Sequence, residues 1–267
     1  MRMTTQRRMS LFCALAVSAI AYVGSTTVQG AEPGEEQASM VYELRTYTTP
    51  EGKLPELLTR FRDHTMKLFA KHGMTNVIYW TPTDKPNTLV YLLAHKSEQA
   101  GKDSFATFRE DPEWVTAKAA SEAAGSLTTK VESLYLTPTD YTPAATVAEI
   151  AKDKPGLLYE LRIYTAAPEK LANLNARFRD HTTKLFEKHG MTNVVYTTPI
   201  AEPLGGNTLV YVLAHKDRES ADASWKAFVD DPDWKKAAAA SQVDGPLLVK
   251  DGVVRMYLTP TDFSPVK

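Results

Sequence analysis

Cysteine is almost missing from this chain: the one residue is Cys13, close to the N-terminus. If the segment that carries it is removed, disulfides, thiolate catalysis and cysteine-based metal sites are all excluded. A surplus of either charge is missing too. Lys and Arg number 31 against 32 Asp and Glu, for a net charge of −1. No basic excess points to nucleic acid, and no long like-charge run points to a tail. Basic residues do not interleave with aromatics as nucleic-acid modules require. The phosphate loop GxxxxGK[ST], the dinucleotide fingerprint GxGxxG, the nucleophile elbow GxSxG and the zinc motif HExxH do not occur.

Long apolar runs are also lacking. The run Leu11–Val23 falls short of the ~20 residues that span a bilayer. It follows Arg2, Arg7 and Arg8, and small residues lead from it to Val28 and Gly30. The pattern predicts a signal peptide over 1–30, cleaved after Gly30, then a disordered lead at 31–39. The mature protein is expected to be exported, periplasmic or extracellular, without a stable membrane span. An uncleaved anchor is the alternative.

The chain repeats itself. "FRDHTMKLFAKHGMTNVIY" (Phe61–Tyr79) returns as "FRDHTTKLFEKHGMTNVVY" (Phe178–Tyr196), identical at 16 of 19 positions. "VYELRTYT" from Val41 matches "LYELRIYT" from Leu158, and "NTLVYLLAHK" from Asn87 matches "NTLVYVLAHK" from Asn207. "DPEW" matches "DPDW", and "YLTPTDYTP" matches "YLTPTDFSP". Each unit is the size of a domain, not of a solenoid repeat. Domain 1 is expected over 40–141, a linker over 142–156 and domain 2 over 157–267. The linker contains one short helical stretch, "ATVAEIAKD".

Within a repeat, Tyr42, Leu44 and Thr46 alternate with Glu43, Arg45 and Tyr47, which predicts a strand. Leu54, Leu57, Leu58, Phe61, Thr65, Leu68 and Phe69 recur at helical spacing, and Gly73 follows as a left-handed cap. Two β-rich runs joined by a Pro/Asp/Asn turn predict a hairpin. A second helical region, with Pro112 at a break or a new first turn, precedes a closing strand. The order βαββαβ is a ferredoxin-like α+β arrangement, with helices on one face of the sheet and the other face open. Two such domains packed sheet to sheet give a pseudo-two-fold α/β barrel. Pairing of repeats between two chains, as a homodimer, is the alternative.

The segments "YELRTYT", "FRDHTMKLFAKHGM", "NTLVYLLAHKS" and "FREDPEW", in that order and twice, resemble the NIPSNAP family of the dimeric α/β-barrel superfamily. The resemblance covers nearly all of the mature chain. It implies the barrel but little chemistry, since no biochemical activity is established for the family as a whole, and the wider superfamily includes monooxygenases, isomerases, haem-handling enzymes and proteins without a known reaction.

All six histidines are paired across the repeats: His64/His181, His72/His189 and His95/His215. His72 falls near the centre of the helix's apolar stripe and His64 at its edge. They are either packed with satisfied nitrogens, or His64 and His181 contact a ligand or act as a general base. Their spacing of eight does not suit a two-histidine metal site on one helix face, and no metal is expected. His95 and His215 end the third strand of each repeat, on the face of Leu89, Tyr91 and Leu93. That face puts them at a cavity rim if it looks into the barrel, and in solvent otherwise. Glu43, Arg45 and Tyr47, with Glu160, Arg162 and Tyr164, are expected to face the barrel interior, the opposite face suiting helix packing. There they form either a structural ion pair or a polar pocket floor. Asn76, Asn193, Tyr79, Tyr196, Tyr91 and Tyr211 are further lining candidates. Trp114 and Trp234 read as core anchors. Trp80, opposite Thr197, would make two pockets unequal.

The expected function is a small-molecule-binding or structural barrel, with a small apolar or aromatic ligand. The alternative is an enzyme of monooxygenase or isomerase type that moves a proton with histidine. No cofactor is expected; haem held by a histidine is a third, weaker option.

Overall fold

The computed structural model describes residues 40–152 and 156–267. The expected signal peptide with Cys13, the lead before residue 40 and part of the linker lie outside the described residues. Among the described residues, no helix is long and apolar enough to cross a membrane.

Repeat 1 begins with strand β1 (Val41–Thr48). A helix follows in three parts: α1 (Leu54–Arg60), a π-helical turn (Phe61–Thr65) and α2 (Met66–Lys71). Pro55 sits in the first turn of α1, where its missing N–H costs nothing. In the π turn the Met66 N–H donates to the Phe61 carbonyl, five residues back, and Thr65 Oγ1 donates to the Arg60 carbonyl at 3.2 Å. Strands β2 (Thr75–Pro82) and β3 (Thr88–His95) form the hairpin. Helices α3 (Glu98–Glu110) and α4 (Pro112–Ser121) follow, then β4 (Lys130–Pro138). Pro112 opens α4 and Asp111 caps it.

The linker contributes a short helix, α5 (Val147–Ala151), opened by a Thr146/Glu149 capping box. Repeat 2 copies the order. It runs through β5 (Leu158–Ala166), α6 (Leu171–Arg177), a π turn (Phe178–Thr182) and α7 (Thr183–Lys188). After these come β6 (Thr192–Pro199), β7 (Thr208–His215), α8 (Arg218–Asp230), α9 (Pro232–Ser241) and β8 (Leu248–Pro260).

The eight strands close into one barrel in the order β1-β3-β2-β8-β5-β7-β6-β4. The two sheets pair within a single chain, through two short antiparallel seams. At one, Trp80, Thr81 and Pro82 pair with Pro260, Thr259 and Leu258. At the other, Leu136, Thr137 and Pro138 pair with Pro199, Thr198 and Thr197.

Each repeat's tail crosses to the other. Phe263 packs on Tyr79, and Asp262 takes a two-pronged ion pair from Arg62. Tyr141 packs on Tyr196, and Asp140 takes the same pair from Arg179. The repeated "TPTDY/F" segments are therefore clasps between the halves.

Three cores result. The barrel interior is filled from both sheets by apolar side chains such as Tyr42, Leu44, Trp80, Leu92, Tyr159, Leu161 and Leu258. Two outer cores lie between sheet and helices, one per repeat. Phe61, Phe69, Tyr91 and Phe105 build the first, and Phe178, Phe186, Tyr211 and Phe228 the second.

This layering reverses the face predicted for β1. Tyr42 and Leu44 point into the barrel, while Glu43, Arg45 and Tyr47 point under the helices, as do Glu160, Arg162 and Tyr164 in β5. The reason is partner supply. An eight-stranded barrel has room for interior side chains only, and here those are apolar. A buried carboxylate needs hydrogen bonds, and those it makes all come from the helix-facing side. His95 shares the Leu89/Tyr91/Leu93 face as predicted. That face also looks outward, so His95 and His215 lie neither at a barrel rim nor in solvent, but buried below α3 and α8.

Candidate functional site

Under the helices of repeat 1, Glu43 is fully buried at the centre of a polar cluster. Its Oε2 accepts from His95 Nε2 at 2.9 Å. Its Oε1 accepts from Arg45 Nη1 and Ser133 Oγ. Burial alone would raise its pKa. The His95 hydrogen bond, the Arg45 charge and the Ser133 hydroxyl outweigh burial and hold it below the ordinary glutamate value. Arg45 also donates to Tyr47 Oη at 3.3 Å, and its guanidinium lies 4.3 Å from the centre of the Phe105 ring. His95 Nδ1 is buried without a partner. Gly101 on α3 allows this close approach, because a Cβ there would meet Tyr135 at 2.9 Å and the His95 ring at 3.0 Å.

Repeat 2 has the same cluster with one change of donor. Glu160 accepts from His215 Nε2 at 2.9 Å and from Arg162 Nη1 at 2.6 Å. Its further donor is Trp225 Nε1, at 2.7 Å, in place of a serine. The Trp225 indole lies over Arg162 at 4.1 Å.

Beside the first cluster a cavity of ≈ 260 Å³ opens between helices and sheet. Arg45 and Tyr47 form its sheet side, Phe61, Phe69, Phe105, Phe108 and Trp114 its aromatic walls, and Arg60, Arg109 and Lys118 its helix side. Arg60 is 4 % exposed and donates to Glu122 Oε1 at 2.8 Å. None of the histidines lines this cavity.

A second cleft, of ≈ 350 Å³, lies at a barrel end between Tyr42, Ala94, Val147 and Val266. Among the described residues no charged side chain lines it; its polar lining is Tyr42, Thr75, the sequence candidate Asn76 and Thr146.

The other sequence candidates fall as follows. His64 and His181 are exposed, on a different side of the helix from the aromatic cavity, and border shallow clefts with Arg60 and Arg177 respectively. His72 is not at the centre of the apolar stripe. It bridges to the next helix pair, with Nε2 2.7 Å from Asp111 Oδ2 and Nδ1 3.2 Å from Thr107 Oγ1. His189 makes the matching 2.6 Å bond to Asp231.

Asn76 and Asn193 tie bulges in β2 and β6 to the helix, donating at 3.0 Å to the Met66 and Thr183 carbonyls and accepting from Tyr79 and Tyr196. Tyr91 and Tyr211 are fully buried and stack on Tyr79 and Tyr196. Trp80 does not make two pockets unequal. It fills the barrel interior against Tyr159 at 5.6 Å.

The inequality lies elsewhere. Arg109, Lys118, Glu122 and Phe105 are replaced in repeat 2 by Val229, Ala238, Gln242 and Trp225. A search for where the repeats differ, and not for where they agree, would have found these residues. Among the described residues no group of three or more His, Cys, Asp or Glu is placed to hold a metal ion.

The NIPSNAP family profile matches residues 42–143 and again 159–265. This chain belongs to the NIPSNAP family. No curated protein matches it. As a NIPSNAP chain with both repeats in one barrel, it is similar along most of its length to two solved structures. One is a proposed monooxygenase from Fusobacterium nucleatum, 11 % identical, covering 86 % of this chain and 95 % of that one at a TM-score of 0.52. The other is an anthrone oxidase-like protein, 12 % identical, covering 85 % and 93 % at 0.54. A NIPSNAP family protein of unknown function from Agrobacterium tumefaciens is 24 % identical over 40 % of this chain and 96 % of that one, at 0.36. At these identities the likeness is one of fold.

Proposed function

We propose that this NIPSNAP barrel binds a small molecule in the helix–sheet cavity of repeat 1, and that repeat 2 is a closed structural copy. The observation that carries this reading is the cavity of ≈ 260 Å³, walled by aromatic rings and floored by Arg45, which the buried Glu43–His95 pair holds in place. A concave apolar site with a few fixed polar groups is the usual form of a small-molecule site, and this one lies just below the usual volumes of about 300–1,000 Å³. The barrel interior, packed with side chains, is not the binding site in this reading. In repeat 2 the larger Trp225 indole takes the place of the Phe105 ring over the equivalent arginine.

The test moves that tryptophan. Phe105→Trp gives repeat 1 the ring of repeat 2. Ligand-observed NMR with a panel of one- and two-ring aromatic fragments is expected to show saturation transfer from the wild-type protein and none from F105W. Unchanged transfer in F105W would put binding outside this cavity.

A further inference from the structure

The cationic residues around the repeat 1 cavity exceed their counter-ions. Arg45 is matched by Glu43, and Arg60 by Glu122. Lys118 reaches only the already engaged Glu122, at 3.9 Å, and Arg109 has no ion pair among the described residues. Arg45 Nε and Arg60 Nε are buried without a hydrogen-bond partner, as is Arg177 Nε in repeat 2. Between these cations the walls are aromatic. Repeat 2 separates chance from construction. It keeps the arginines that match Arg45 and Arg60, but has Val229 and Ala238 for the two surplus cations and Trp225 over the floor. Arg109 and Lys118, the two exposed cations at this cavity, thus have no cationic counterpart in repeat 2.

We infer that the repeat 1 cavity selects a small aromatic anion, a one- or two-ring carboxylate whose ring stacks among Phe105, Phe108 and Trp114 while Arg109 and Lys118 hold its charge at the mouth. This rests on the site proposed above and adds the ligand's chemical class. A carboxylate suits the place because guanidinium groups pair it in a planar fork and also tolerate contact with aromatic faces.

The experiment compares 2-naphthoate with its neutral isostere 2-naphthamide by titration calorimetry on the full chain, at low and at high salt. The carboxylate is expected to bind about tenfold more tightly than the amide, and to lose that advantage as salt rises. The double variant R109V/K118A, which installs the repeat 2 residues at two exposed positions, is expected to weaken the carboxylate to the level of the amide and leave the amide unchanged. Equal binding of the two compounds to wild type, both abolished in F105W, would overturn the charge selection while leaving the cavity as the site. Carboxylate binding that survives both R109V/K118A and F105W would overturn the inference, since the anion would then be held elsewhere. Absence of binding by either compound would overturn it together with the site.

Discussion

Arg60 and Arg177 are the same residue in two settings. Both are buried, 4 % and 8 % exposed, and both lie over a tryptophan ring, Trp114 or Trp234, at 5.1 Å. Arg60 has a carboxylate partner at 2.8 Å. Arg177 has only Ser241 Oγ, at 3.4 Å, and no ion pair among the described residues, because Gln242 replaces Glu122. Burial lowers its pKa, the signature of a charge held without compensation. Gln242→Glu is therefore expected to stabilise the protein. The carboxylate would sit at a partly exposed edge, so the gain should be about 1 kcal/mol, or a rise in melting temperature of about 2–4 °C. Glu122→Gln should shift it down by a similar amount. Differential scanning calorimetry reads both; a Q242E variant that melts at or below the wild-type temperature would refute the pairing.

At the scale of elements, the junction between α3 and α4 is held by one carboxylate. Asp111 Oδ1 caps α4 by accepting from the Glu113 N–H at 2.8 Å, and Oδ2 takes Lys71 and His72 from the end of α2 at 2.8 and 2.7 Å. Asp231 does the same with Asp233, Lys188 and His189. The lysine hydrogen bond, then the histidine bond, hold each carboxyl far below the usual aspartate value against the opposing effect of burial. A carboxyl whose folded pKa is depressed stabilises the fold at pH above its unfolded value of about 3.9, and loses that contribution as pH falls through the folded one. The two junctions should then fail in the same acid window. Urea midpoints measured from about pH 6 downward are expected to fall steeply below about pH 4, and D111N/D231N should be less stable at pH 6 with a shallower acid decline. A double variant that keeps the wild-type slope would remove these aspartates from the acid response.

The same scale shows what the sequence made legible. Strand and helix order, Pro112 at a new helix start and the short linker helix all follow from local pattern and capping chemistry. The orientation of β1 does not. Both faces of this strand are buried, one in a barrel and one under helices, so alternation gives two faces without naming them. The π turn at Phe61–Thr65 also leaves no mark on a periodicity read over the whole helix. His95 was legible as a strand-end residue of one face. Glu43 was legible as a partner for Arg45, but its bond to His95 was not, since that pairing runs between strands 52 positions apart in the chain. The cavity residues Arg109 and Lys118 were hidden because attention to agreement between repeats passes over the places where they diverge.

At the scale of the molecule, the duplication lets the two halves differ, and Trp80 uses that freedom. A sheet with an apolar inner face must be covered, and each half covers the other through two seams and two crossed tails. Inside the barrel Trp80 is fully buried, and the matching position in the other half is Thr197. A barrel of two repeat 1 copies would hold two such indoles, and a barrel of two repeat 2 copies none. The first is overpacked, which costs about 1–3 kcal/mol, and the second leaves a void. The halves should therefore prefer each other. If residues 40–152 and 156–267 are produced as separate chains and mixed, native mass spectrometry is expected to show the one-to-one complex in excess over either homodimer. Trp80→Thr in the first chain should raise its homodimer fraction, because the excess volume is gone. Homodimers that dominate the mixture, or a W80T chain that pairs with itself no better than the parent, would mean that the seams and tails set the pairing and the interior does not.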